Sequence, residues 1–298
     1  MSQVLRVFVS PQMEADFHRA YDAVLQKWPV PCAESWIETR FGKTHVIASG
    51  PKEGIPLMLL HPGGGNATIW HRSIAGLSQR HQTFAVDIIG EMNKSVPIRR
   101  IRTRQDLSDW MSDLLDGLQV DSTCLVGNSN GGFFAMIAAI LLPQRVSKLV
   151  LISPAATFSC MLRWWWHLFV PAHVVAPLIG SEEMVLASHR WLWNGFPMEE
   201  DYSRLQRLSK VGGYPRFRPT RNSLRPKRLA RRDLRQVRMP VLLLIGEREV
   251  IYSPRRVMRR ASRLVAGLRA EGVPKANHCA QYTAPDETVR RILEFLDR

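Results

Sequence analysis

The sequence predicts a doubly wound α/β domain carrying one long insertion. Three observations predict it. Short, almost continuous apolar runs recur at Pro56 to His61, Thr83 to Asp87, Cys124 to Gly127, Leu149 to Ser153 and Val241 to Gly246. Runs of this kind suit strands buried on both faces of a parallel sheet. Helix-patterned segments fall between them, and such alternation implies parallel strands joined by crossover helices. The pattern breaks from about Ala155 to Arg238, where no strand run occurs, and resumes at Val241.

Taken in order, residues 11–27 read as an amphipathic helix, with Phe17, Tyr21 and Leu25 at four-residue spacing. The Pro-rich WPVPC stretch ends it. Ser35 to Phe41 and Lys43 to Ser49 read as a hairpin about Gly42. Helices are expected over Ala67 to Leu77, Arg104 to Leu118, Gly132 to Leu142, Arg255 to Leu268 and Thr288 to Leu296. The expected division is an N-terminal helical extension over 1–31, a core over 32–154 and 239–298, and a cap insertion over 155–238.

Composition sets the boundaries of function. The 298 residues are 45% apolar and 22% charged, ordinary values that exclude a disordered or fibrous chain. Cys32, Cys124, Cys160 and Cys279 form no CxxC pair and have no clustered histidines, so free thiols in a reducing compartment are expected, with no metal. The N-terminus lacks the apolar run of a secretory signal, which points to the cytoplasm. Trp164 to Gly180 is the most membrane-like stretch, but its prolines and histidines mark it as a buried or interfacial segment.

Charge is concentrated. The net charge is +15, and residues 203–238 hold 13 Lys or Arg against the single acid Asp233. A second group is Arg255, Arg256, Arg259, Arg260 and Arg263. The pattern allows weak binding to anionic surfaces. No helix-turn-helix, zinc finger or RNP aromatic signature accompanies it, so no specific nucleic-acid partner is expected.

The chemistry centres on Gly127-Asn128-Ser129-Asn130-Gly131, which follows an apolar strand and opens an apolar helix. In that setting G-x-S-x-G makes a tight turn that projects the serine hydroxyl. His278, between the last strand and the last helix, is the candidate base. Glu249, just past the strand VLLLIG, is the candidate carboxylate that orients it, with Glu247 as the alternative. The glycines of His61-Pro62-Gly63-Gly64-Gly65 can aim backbone N–H groups at the turn. Gly63 or Gly64, with the N–H of Asn130, would hold an oxyanion. No GK[ST] follows these glycines, which excludes Walker chemistry. Trp164 and Trp165 are candidate pocket residues, and Trp70 and His71 either line the pocket or pack beneath the loop. Asp87 reads as a structural turn residue, and His18, His45 and His81 carry no assigned role.

Together these motifs resemble the α/β-hydrolase superfamily, in its serine-nucleophile, bacterial carboxylesterase-like branch, over nearly the whole chain. FGKTHVIASGP, DIIGEMNKS and GEREVIYSP strengthen the likeness. The resemblance implies a mostly parallel eight-stranded sheet with helices on both faces and an inserted helical cap. It implies the chain order nucleophile, acid, histidine, met by Ser129, Glu249 and His278, and an oxyanion loop met by HPGGGNATIW. Pro62 departs from the usual glycine, Glu249 from the commoner aspartate, and Asn130 from an apolar residue. Ser129 argues against dehalogenases and epoxide hydrolases, whose nucleophile is an aspartate. The expected activity is hydrolysis of a small carboxylic ester with an apolar group, without a cofactor. C–C bond hydrolysis, lactone opening and acyl transfer use the same triad. A non-catalytic binding module acting through its basic face is the alternative outside enzymes.

Overall fold

The structure, a computed structural model, describes residues 4–179, 181–212 and 224–298. Part of the predicted basic tract, residues 213–223, therefore lies outside the described residues, as does Gly180.

Nine strands form one sheet: β1 (Cys32–Thr39), β2 (Gly42–Ser49), β3 (Ile55–Leu60), β4 (His81–Val86), β5 (Val96–Pro97), β6 (Thr123–Asn128), β7 (Val146–Ile152), β8 (Val241–Gly246) and β9 (Arg269–Val273). Eight of them run in the spatial order β1-β2-β4-β3-β6-β7-β8-β9, as the resemblance implies. The ninth, β5, is a two-residue bridge to Gly42 and Lys43 of β2, too short to leave a pattern in the sequence. β1 with β2 and β2 with β4 are antiparallel, and every later pairing on the path is parallel.

The longer helices are α1 (Pro11–Leu25), α2 (Arg104–Gly117), α3 (Asn130–Leu141), α4 (Glu182–Trp193), α5 (Glu200–Arg207), the single turn α6 (Arg231–Leu234), α7 (Pro254–Leu264) and α8 (Pro285–Leu296). Their starts follow local chemistry. Ser10 caps α1 through the Met13 N–H. Thr103 and Asp106 make a reciprocal capping box on α2. Proline opens α1, α7 and α8, where its missing N–H costs nothing.

Side chains alternate between two cores, one on each side of the sheet. Leu243 and Ile245 of β8 join Trp110, Phe133 and Val257, beneath α2, α3 and α7. Leu242 and Leu244 join Phe17, Tyr21, Trp70 and Ile292, beneath α1 and α8. Each fully buried aliphatic side chain here contributes about 1.5–3 kcal/mol.

Two expectations need correction. Ala67 to Leu77 is not one helix: a 3₁₀ turn, Ala67–Trp70, and a short helical turn, Ile74–Leu77, replace it. The joint is pinned from outside, because Arg72 and Ser73 donate to the carbonyls of Tyr282 and Gln281. The helix expected to reach Leu268 ends at Leu264, and Gly267, at φ +68°, turns the chain into β9. The N-terminal segment carries the expected helix and packs on the rest of the fold. Phe17 and Tyr21 are fully buried, and α1 packs on α5.

The parallel register aligns the C-terminal ends of the central strands. Leu60 lies opposite Gly127, Asn128 opposite Ile152, Ile152 opposite Leu244, and Gly246 opposite Val273. The loops after β3, β6, β8 and β9 thus emerge side by side, the edge where open α/β sheets bind ligands.

Candidate active site

Ser129 joins β6 to α3 at φ 52°, ψ −112°. A non-glycine residue held there stores about 1–3 kcal/mol of strain. The surroundings enforce it: the Ser129 N–H donates to Ile152 O at 2.9 Å, and its carbonyl accepts from Ala155 N at 2.8 Å and Phe133 N at 3.0 Å. Glycine is required on either side. A methyl group on Gly127 would strike the Gly131 carbonyl, and one on Gly131 would strike the carbonyls of Leu60 and His61.

His278 and Glu249 meet as the sequence predicts. His278 Nδ1 lies 2.7 Å from Glu249 Oε2, and both side chains are buried. Glu249 Oε1 accepts the Ile251 N–H at 2.8 Å. Burial alone would raise the carboxyl's pKa. The facing imidazole and the Ile251 N–H outweigh it and hold the group below its usual range. Glu247, the alternative acid, is exposed and has no contact with His278 among the described residues. No Ser129–His278 hydrogen bond is formed among the described residues, but both side chains line one cavity. In unliganded sites such bonds are often long and tighten when substrate binds.

Asn128 was not singled out by sequence, yet it braces the base. Its Nδ2 donates to the carbonyls of His278 and Ile152, each at 3.0 Å, and its Oδ1 accepts from Gln281 at 3.1 Å. A buried amide ending an apolar strand was the available signal, since such a group must find partners.

The loop after β3 sorts its glycines. The Gly65 N–H donates to Pro62 O at 3.0 Å, and the Gly64 N–H donates to Glu91 Oε2 at 3.1 Å. Gly64, expected as an oxyanion donor, therefore has its donor already spent on Glu91. Gly63 and Asn130 retain free N–H groups among the described residues, and a methyl group on Gly63 would lie 3.4 Å from Asn130 Cβ. Asn130 stands at the first turn of α3, where no intrahelical acceptor exists.

The loop is braced by residues that sequence reasoning missed. Lys210 Nζ donates to the Gly64 carbonyl, while Glu91 holds the N–H of the same residue. Burial lowers Lys210 to a pKa of about 8. His61 Nε2 accepts the Ile88 N–H at 2.9 Å, which leaves the proton on Nδ1 to reach Pro62 O at 2.8 Å. Burial pushes the His61 pKa down and keeps the ring neutral.

The shared cavity has a volume of about 490 Å³. Ser129, Gly63, Asn130 and His278 line its floor, and Trp164, Trp165, Leu168 and Phe169 line it from the inserted segment. Trp164 and Trp165 are thus pocket residues, as expected. Trp70 and His71 are not: Trp70 is buried in the core beneath α1, and His71 is spent on Thr68 O and Glu199. Arg6, Arg100, Lys210, Arg225, Lys227 and Arg228 also line the cavity, against one acid, Glu91.

A buried imidazole–carboxylate pair, a strained serine and a glycine loop now stand at one sheet edge, and the sequence matches the family described as "Alpha/beta hydrolase family" over residues 57–291. The chain belongs to the alpha/beta hydrolase family. Within it, the chain is 34% identical to "Carboxylesterase YbfK" of Bacillus subtilis over 97% of this chain and 96% of that protein. The crystal structure of carboxylesterase CesB (YbfK) from Bacillus subtilis superposes at a TM-score of 0.85, with 33% identity, covering 96% of this chain and 98% of that one. Naproxen esterase (carboxylesterase NP) from the same organism gives 0.86 at 31% identity, covering 96% and 99%. As an alpha/beta hydrolase, the chain has the family's mostly parallel sheet, and Lys210 holds the glycine loop after β3.

Proposed function

We propose that this protein hydrolyses carboxylic esters through Ser129, His278 and Glu249. The observation that carries the reading is the His278–Glu249 contact, set in the same cavity as a strained serine and two free N–H groups. His278 Nε2 takes the Ser129 proton as Oγ attacks the ester carbonyl. Glu249 holds the Nδ1 proton and stabilises the imidazolium. The N–H groups of Gly63 and Asn130 bind the oxyanion, each worth roughly 3 kcal/mol of transition-state stabilisation. Collapse expels the alcohol, which leaves with the proton from His278. Water, deprotonated by His278, then releases the acid and restores Ser129.

Residues 155–238 form the cap, and its wall supports a substrate class. Trp164, Trp165 and Phe169 offer an apolar surface, while Arg225, Lys227 and Arg228 supply positive charge. The fitting substrate is an ester with an aryl or branched apolar body, and with a carboxylate elsewhere on the molecule. The four unpaired cysteines fit a reducing compartment such as the cytoplasm.

A fluorophosphonate probe tests the chemistry. It should label the wild type, fail on Ser129→Ala and react far more slowly with His278→Ala. No labelling of folded wild type would sink the reading. A panel of neutral esters, ester-carboxylates, lactones and β-diketones then tests the substrate class. Faster turnover of ester-carboxylates than of their neutral methyl esters is the expected result.

A further inference from the structure

A second cleft lies between α6 and α7, apart from the catalytic cavity. It is a shallow cleft of about 300 Å³, open to solvent and lined by Arg231, Arg235, Arg256, Arg259, Arg260, Arg263 and Leu264. None of these residues lines the catalytic cavity. No carboxylate is among the described residues that line the cleft.

Those six guanidiniums have no side-chain hydrogen bond or ion pair among the described residues, and Arg260 Nε is buried without a partner. Several arginines elsewhere are matched: Arg40 with Asp113, Arg99 with Asp106, Arg145 with Asp116. The one acid of α6, Asp233, could have served the cleft. It turns instead to Arg104 at 2.8 Å, so the cleft keeps its full charge. On α7, Arg256 with Arg260 and Arg259 with Arg263 are like charges four residues apart, which destabilises an isolated helix. Arg255 and Arg256 also oppose the helix dipole in the first turn. The arrangement costs stability unless an anion neutralises it.

We propose that this cleft binds a phosphate chain. Guanidinium groups present planar forks that match phosphate oxygens two at a time. Several forks converging from two helices favour a ligand with several linked phosphates over a single one. Among the described residues the cleft offers no aromatic ring on which a nucleobase could stack. Its volume suits a small ligand, at the low end of the roughly 300–1,000 Å³ common for such pockets.

Isothermal titration at 150 mM salt with tripolyphosphate, ATP and orthophosphate tests this. Tripolyphosphate and ATP should bind within about threefold of one another, and orthophosphate at least about tenfold more weakly. R256Q/R260Q should lose at least about tenfold in tripolyphosphate affinity. R19Q/R190Q, which removes the same charge away from the cleft, should stay within about twofold. Without ligand, R256Q/R260Q should melt at or above the wild-type temperature and turn over ester at the wild-type rate, which separates lost binding from lost folding. Absence of tripolyphosphate binding to the wild type overturns the proposal, as does an equal loss in both double variants. Binding confined to vesicles containing phosphatidylglycerol would assign the face to a lipid surface and overturn it as well.

Discussion

Two buried histidines set Nδ1 against a buried carboxylate. His278 faces Glu249 at 2.7 Å, and His45 faces Asp87 at 2.9 Å. They part at the second nitrogen. His45 Nε2 meets Glu34 at 2.9 Å, and Asp87 also accepts from Tyr21, Ala67 N and Lys94 N. His278 Nε2 has no partner among the described residues, and its ring opens on the cavity that holds Ser129. The same pair of groups is a brace when every polar atom is spent. On the proposed mechanism it becomes a proton carrier when one nitrogen is left over beside a serine.

The largest expected effect would establish the carrier. Ser129→Ala should lower kcat/KM for esters by roughly 10⁴-fold or more, with the melting temperature kept. His278→Ala should match it, and the double variant should be no worse than either single one, because the residues act as a unit. Glu249→Gln should cost roughly 10³–10⁴-fold. Additive losses in the double variant would break the comparison from the catalytic side.

The brace should answer in the opposite currency. Asp87→Asn leaves His45 beside an amide and should destabilise the fold by about 3 kcal/mol. That corresponds to a melting temperature lower by about 6–12 °C. Turnover per folded molecule should stay within about threefold, read by calorimetry beside active-site titration. Burial raises the Asp87 pKa, but His45 and the Ala67 N–H more than reverse this, so the folded value lies below 3.8. Its contribution is therefore full above pH 3.8 and lost as pH falls through the lower folded value. Asp87→Asn should flatten that acid limb.

The smallest expected effect sharpens how the oxyanion loop is held. Lys210 is charged below a pH of about 8 and loses its proton above it, which weakens its bond to the Gly64 carbonyl. Wild-type kcat should decline as pH rises past about 8. Lys210→Met should have a kcat lower by about 3–10-fold and should lack that decline. An unchanged alkaline limb in Lys210→Met would remove Lys210 from the loop's support.

The readable parts of the molecule share one property. Ser129, Gly63, His278 and Glu249 each follow a strand or stand next to a glycine turn, so local pattern places them. β8, an unbroken apolar run, has the bounds that the sequence predicts. β9 has one fully buried residue, Val273, and at an edge it leaves no such run. The brace and the loop supports were illegible for another reason. Glu91 meets Gly64 from 27 residues away, and Lys210 from 146. Contacts closed across such separations are products of packing, with no local trace. Trp70 was open in the reverse sense: its place after the glycine loop allowed either the pocket or packing beneath it, and the 3₁₀ turn points it into the core.

The attachment of the chain's first residues bears on how this enzyme could be re-engineered. The Leu5 N–H bonds to Pro97 O, and Leu5, Arg6 and Val7 line the catalytic cavity. Lys27 pairs with Asp201 of α5 within the cap. The cavity wall is therefore shared between the chain's early residues and the inserted segment. Grafting residues 155–238 alone onto another alpha/beta hydrolase would transplant half of a wall. The leading 27 residues would have to travel with them, so a chimera needs two donor segments and three junctions for one change of taste.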